Sequence, residues 1–310
     1  MNKKLITVSV PVFNECENIK TAYERISAVC RSLERYDYEI VFYDDGSDDG
    51  STDIIEELCA ADDHVKAVIY ERNFGYAKTT FYCMQQAKGD AAVIVHCDMQ
   101  NPPEEIPKFV EKWESGADVV LGVKNKSNEN KFMYFLRTLG YYLLNLIFGM
   151  KLVPHATEFE LIDKSVISVL RNIRTQAPFL RGYIIEYGTR IEKVYYVQDK
   201  RRKGKSHFNL NKQYDFFMAG IVCRSRCVPR RCVFFSVVSA ILLLVEFFAR
   251  FLPKAIPGTE PLWNGLLLRF GLFSLLLLIM LTSLALEFVF SVLDNAGSKP
   301  FIIEEKRINY

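Results

Sequence analysis

Hydrophobic and polar positions along the chain fall into two regimes. Up to residue 124, short apolar runs alternate with stretches of helical spacing. The runs at 5–11, 38–43, 65–70, 91–97 and 119–123 read as strands. Between the first two, Ile19, Tyr23, Ile26, Val29, Cys30 and Leu33 recur as one face of a helix over 15–33. Ser51 or Thr52 caps a second helix reaching Cys59, a third spans 76–87, and Pro103 opens a fourth that ends near Ser115. Strict alternation of strand and helix predicts a parallel, doubly wound sheet. Beyond Lys124 the pattern loosens: 125–130 is a polar loop, 132–148 is apolar enough to lie against a membrane surface, 165–173 looks helical and 189–197 alternates as a strand. Residues 199–205 form a basic loop and 210–221 an interfacial amphipathic helix.

From Cys232 the character changes. Residues 232–251 and 266–293 are almost wholly apolar, and each reaches the roughly 20 residues a helix needs to cross a bilayer. Pro253, Pro257, Gly258 and Pro261 mark a sharp reversal between them, so the pair reads as a transmembrane hairpin. Arg224, Arg226, Arg230 and Arg231 precede the first span and Lys299, Lys306 and Arg307 follow the second, whereas the connecting loop offers only Lys254. Positive-inside bias then places both termini and the soluble domain in the cytoplasm, against a bacterial plasma membrane. Met1-Asn2-Lys3-Lys4 runs straight into a strand, with no signal peptide. The expected organisation is a cytoplasmic domain over 1–207, a juxtamembrane segment over 208–231, the hairpin over 232–293 and a cytoplasmic tail over 294–310. Glu246 and Glu287 lie near span ends, where snorkelling or pairing with Arg250 or Arg269 accounts for them.

Charge narrows the partners. Lys plus Arg is 39 against 37 for Asp plus Glu, and a net charge of +2 argues against nucleic acid. The 8 cysteines include no CxxC pair, and cytoplasmic placement argues for reduced thiols; Cys223, Cys227 and Cys232, beside the membrane with no His near them, read as packing residues, with reversible acylation as the alternative.

The chemistry gathers at strand ends. Phe13-Asn14-Glu15, Asp44-Asp45-Gly46-Ser47, Arg72-Asn73-Phe74-Gly75 and Asp98-Met99-Gln100 each follow a predicted strand. In a parallel sheet these ends share one edge, where open α/β sheets bind ligands. A polar turn after each strand would be the plainer account of any one cluster; four on one edge describe a cleft. There is no GxGxxG after the first strand and no GxxxxGK[ST] anywhere, which argues against dinucleotide and P-loop chemistry. Asp98 and Gln100 are hard oxygen donors of the kind that hold Mg²⁺ or Mn²⁺ on a diphosphate.

Pro11-Val12-Phe13-Asn14-Glu15 with Glu17-Asn18-Ile19, Asp44-Asp45-Gly46-Ser47, Arg72-Asn73-Phe74-Gly75 and 98–104 (DMQNPPE) together resemble glycosyltransferase family 2 with its GT-A fold, a Rossmann-like, mostly parallel α/β sheet. The nearer likeness is to the polyprenyl-phosphate branch, the dolichyl-phosphate mannose synthases and bactoprenol glucosyltransferases. Phe179-Leu180-Arg181-Gly182, Gly204-Lys205-Ser206 and 299–303 (KPFII) resemble later family motifs. The resemblance implies an inverting transfer from a UDP- or GDP-linked sugar to polyprenyl phosphate at the membrane lipid surface. Pro11, Phe13, Glu15, Asp44, Asp45, Arg72 and Asp98 would hold the nucleotide sugar. Asp98 and Gln100 would be the catalytic metal ligands for Mg²⁺ or Mn²⁺. Lys124, Arg181, Arg201, Lys205 and Ser206 would meet the acceptor phosphate. A homo-oligomer and a flippase-type membrane partner follow by analogy.

Four positions depart from that pattern. His96-Cys97-Asp98 stands where Asp-x-Asp is usual, so His96 is a weak ligand or a neutral hydrogen-bonding group. Thr157-Glu158-Phe159-Glu160 replaces Ser-x-Phe-Arg, reversing a charge near the acceptor phosphate; Lys124 replaces Arg, and His207 follows Ser206 where Lys is common. A catalytically weak, nucleotide-sugar-binding membrane scaffold and a glycosyltransferase with another acceptor are the alternatives.

Overall fold

In a computed structural model, the chain is described at residues 3–126, 153–198, 227–249, 260–296 and 300–310, with a few positions between 138 and 146. The predicted alternation is present. Strands β1 (Lys4–Val12), β2 (Tyr36–Asp44), β3 (Val65–Tyr70) and β4 (Ala91–Ile94) alternate with helices α1 (Cys16–Ser32), α2 (Ser51–Ala61) and α3 (Tyr76–Gln86). A 3-10 turn at Pro103–Glu105 leads into α4 (Ile106–Glu114), and β5 (Val119–Lys126) follows. Both faces of these strands are covered, so their side chains are buried without alternation, as in Ile40, Val41, Phe42 and Tyr43 of β2.

The sheet is mixed rather than wholly parallel. β6 (Ala156–Asp163) lies between β4 and β5 and is antiparallel to both. α5 (Lys164–Leu170) and α6 (Leu180–Tyr187) follow, then β7 (Ile191–Val197), parallel to β5 at one edge. The order is β7-β5-β6-β4-β1-β2-β3-β8. β8 (Glu304–Ile308) comes from the segment expected as a cytoplasmic tail, and it pairs antiparallel with β3. Its surroundings hold it there: Asn309 Nδ2 donates to the carbonyls of Cys59 at 2.7 Å and Val65 at 2.9 Å, and Phe301 packs edge-on to Phe81 at 5.9 Å.

Two long helices separate β7 from β8. α7 (Cys227–Ala249) and α8 (Glu260–Ala296) meet at Ser239, whose hydroxyl donates to the Ser274 carbonyl at 2.7 Å. Among the described residues one stretch, Phe270–Val289, is long and apolar enough to cross a membrane; Val233–Val245 is a shorter apolar stretch of α7. The expectation of two spans is met by composition in one helix only. Five cysteines, Cys16, Cys30, Cys59, Cys83 and Cys97, are free, and all but Cys16 are buried, in keeping with packing roles.

Candidate active site

Register aligns the C-terminal ends of the parallel strands. Val12 pairs with Asp44, Asp44 with Ile69 and Ser9 with Ile94, so the four polar clusters open on one edge. Hydrogen bonds knit the first two together. Asn14, at φ 53°, donates through Nδ2 to Asp48 at 2.7 Å and accepts from the Asp48 N–H at 3.0 Å. The Glu15 N–H donates to Ser51 Oγ at 3.1 Å, and Asn18 donates to the Glu15 carboxylate at 2.5 Å. Phe13 and Pro11 sit beside them, half-buried.

Asp44 and Asp45 are buried and organise the loops around them. Asp44 accepts from the Ser47 N–H at 3.1 Å, the Ser47 hydroxyl at 2.6 Å and the Thr52 hydroxyl at 2.5 Å. Asp45 accepts from the N–H groups of Phe74 at 2.7 Å and Gly75 at 3.0 Å, which ties the turn after β3 to the end of β2. Burial pushes the Asp45 carboxyl up to about 6, against the pull of those two N–H groups. Gly46 makes the crossing possible: at φ +68°, a Cβ there would lie 2.5 Å from the Arg72 carbonyl carbon. Arg72 itself is exposed, its guanidinium 5.3 Å from the Phe74 ring centre.

The turn after β4 carries the proposed metal ligands. Met99 adopts φ 54°, and the Gln100 N–H donates to Asp98 Oδ1 at 3.1 Å. Gln100 Oε1 accepts from Gln198 Nε2 at 2.9 Å. Among the described residues no group of three or more His, Cys, Asp or Glu could hold a metal. One carboxylate and one amide carbonyl nonetheless suit a hard cation that takes most of its ligands from a substrate diphosphate and water, the usual Mg²⁺ arrangement. His96 is engaged elsewhere. Its Nε2 lies 3.2 Å from the Tyr76 hydroxyl, which gives its own proton to Glu158, so Nε2 donates to the phenol. Burial lowers the His96 pKa from its ordinary 6.5, and Lys124 adds to this while Asp98 opposes it.

Behind this turn sits an acidic pair around Arg181 of α6. The Arg181 guanidinium is 4.0 Å from Glu158, and both side chains are nearly buried. Glu160, in β6 beside Leu121, is fully buried, and among the described residues neither carboxylate oxygen has a hydrogen-bond partner. Burial pushes its pKa up to about 8, Glu158 adding to the rise and Arg181 opposing it. Burial thus favours the neutral form of this acid over the charged one. Lys124 lies on β5 opposite Tyr196. Arg201, Lys205 and Ser206, with the basic loop and the amphipathic helix at 210–221, lie outside the described residues.

Three residues that the sequence reading passed over join the site. Tyr196 donates its hydroxyl to Asn101 Oδ1 at 2.6 Å and meets the Thr157 hydroxyl at 2.8 Å. Gln198 holds Gln100 from the same strand end. The only hint in the sequence was the alternation of β7, which turns 194 and 196 inward.

The pattern of glycosyl transferase family 2 matches residues 7–188. The uncharacterized glycosyltransferase YkcC of Bacillus subtilis (strain 168) is 30% identical over 302 residues, 97% of this chain and 93% of its own. The bactoprenol glucosyl transferase of Shigella phage SfV is 33% identical over 217 residues, 70% of each chain. Glucosyl-3-phosphoglycerate synthase from Mycobacterium tuberculosis, solved with Mn²⁺, UDP and glucosyl-3-phosphoglycerate, shares the fold at a TM-score of 0.50 and 18% identity, over 72% of this chain and 80% of that one. With its strand-end clusters on one sheet edge and the family pattern running from β1 through α6, the chain belongs to glycosyl transferase family 2.

Proposed function

We propose that the protein transfers a sugar from a UDP- or GDP-linked donor to a polyprenyl phosphate at the cytoplasmic face of a bacterial plasma membrane. The observation that carries this reading is the path of the chain. It leaves the sheet after β7, passes through α7 and α8, and rejoins the same sheet as β8. Two strands of one sheet lie on one side of any bilayer, so the chain between them crosses an even number of times. With Phe270–Val289 as one crossing, α7 is the natural second. A cleft for a water-soluble donor is thereby tethered beside a bilayer that would hold the acceptor, as the name of the phage relative suggests.

The chemistry needs no strong base. A phosphate monoester carries about −1.5 to −2 charges at neutral pH. Its oxygen attacks the anomeric carbon as the bond to the nucleotide diphosphate breaks, with inversion, and the bonding electrons leave with the diphosphate. Pro11, Phe13, Glu15, Asp44, Asp45 and Arg72 line the nucleotide side; Asp98 and Gln100 hold Mg²⁺ or Mn²⁺ there. A bound cation supplies charge neutralisation for the leaving diphosphate. Lys124, Arg181, Arg201, Lys205 and Ser206 position the acceptor phosphate, which displaces Glu158 as the partner of Arg181. Assembly as a homo-oligomer beside a flippase-type partner belongs to the same reading.

The test is incubation of the purified protein with Mg²⁺ or Mn²⁺, polyprenyl phosphate and a panel of UDP- and GDP-sugars. A glycolipid product is expected, and Asp98→Ala lowers its rate on the order of a hundredfold or more. Nucleotide binding with no glycolipid from any donor would support the scaffold reading instead.

A further inference from the structure

The end of β7 grips the Asp98 turn at two consecutive residues. Tyr196 is 2% exposed and lies edge-on to Phe159, with ring centres 5.6 Å apart. It reaches this position past Gly122, where a Cβ would stand 3.0 Å from its ring and 2.7 Å from the Phe159 carbonyl oxygen. Its hydroxyl donates to Asn101 at 2.6 Å. Two residues on, just past the end of β7, Gln198 donates to Gln100 at 2.9 Å. Gln100 in turn holds the Asp98 carboxylate through its N–H at 3.1 Å. A buried phenol and a side-chain amide thus fix both residues that follow Met99, at φ 54° a backbone position that needs outside support. β7 stays paired with β5 as far as Val197, across a register shift between Lys124 and Lys126, so both side-chain bonds come in addition to its sheet pairing.

We propose that Tyr196 and Gln198 are positioning residues: they clasp Gln100 and Asn101 and so set the Asp98 turn from the strand that leads directly into the basic loop at 199–205. The clasp links the two halves of the reaction. Gln100 faces the donor diphosphate, and Gln198 is the last residue before the segment assigned to the acceptor phosphate. This part of the inference rests on the function proposed above; the clasp itself does not.

The experiment compares full-length protein in detergent with its Gln198→Ala and Tyr196→Phe variants. Hydrogen–deuterium exchange reads the clasp without any need for turnover. Both variants should exchange faster at residues 98–101 and equally at β1 and β2. Unchanged exchange at 98–101, or faster exchange throughout the sheet, would overturn the proposal. In the transfer assay, Gln198→Ala should raise the Mn²⁺ concentration for half-maximal rate about threefold to tenfold, the factor carried by one hydrogen bond. Gln100→Ala should raise it further, since it removes the ligand itself, and the double variant should be no worse than Gln100→Ala alone. Independent, additive losses would overturn the coupling. Altered exchange in a protein with no transferase activity would keep the clasp and sink the function.

Discussion

Glu160 shows how one residue ties stability to pH. Its carboxyl is pushed from an ordinary 4.5 to about 8 in the folded protein. The folded state therefore keeps a proton that the unfolded chain loses at lower pH. Stability is greatest below pH 4.5 as far as this group is concerned, and it falls as pH rises toward 8. Asp45, raised to about 6, adds in the same direction over the lower part of that window. Glu160→Gln should flatten this slope: thermal melts at pH 5.5 and 8.5 should differ less in the variant than in the wild type. An equal or steeper difference would show that Glu160 is ionised when folded. Gly46→Ala makes the opposite kind of demand, on space rather than charge. With a positive φ and a backbone carbon 2.5 Å from the new Cβ, it should cost about 1–3 kcal/mol in chemical denaturation and weaken nucleotide binding, because the Arg72 turn must retreat. Retention of wild-type stability and affinity would show that the two loops are not in contact. Asp44, Asp45, Asp98 and Gln100 stood out in the sequence because acids and amides ended apolar runs. Tyr196 and Asn101 did not, since a tyrosine in an alternating strand and an asparagine before two prolines look like ordinary packing and turn residues.

At the level of elements, legibility followed burial on two faces. β1 through β4 are mostly apolar, each ends in a polar turn, and they could be read directly. β6 could not: Glu158 and Glu160 interrupt its apolar residues, and the partners of Glu158, Arg181 and Tyr76, come from α6 and α3. β6 also breaks the parallel order, as no periodicity records which neighbour a strand chooses. β8 reads EEKRI, a charge run fit for a sheet edge, where one face meets solvent. Its hold on the domain is tested by ending the chain after Lys299. The truncated protein should melt several degrees lower and aggregate, because β3 then presents an unpaired edge and Phe81 loses its contact with Phe301. An unchanged melting temperature would mean that β8 is a passive flap. The ion pairs of the strand, such as Lys306 with Glu56 at 2.9 Å, are exposed and contribute little by themselves, so Lys306→Ala should leave the melt nearly unmoved.

For the whole molecule, the composition change at residue 232 marked a membrane segment, and positive-inside counting gave it an orientation; neither could disclose that the chain comes home to the sheet. The return makes the topology testable at two points. Reporter fusions in a bacterial host should be active in the cytoplasm when joined after residue 310, and active outside when inserted at 257. Matching signals at both points would rule out a two-span hairpin. The same return has a consequence for biosynthesis. β3 emerges from the ribosome early, yet its outer neighbour β8 is made only after both apolar helices. On the proposed two-span topology the nascent domain waits, with one edge open, while the helices are delivered to the membrane. Sheet closure becomes a checkpoint on insertion: a chain that fails to place its hairpin has difficulty bringing β8 back, and it presents to proteases and chaperones the edge that a finished molecule conceals.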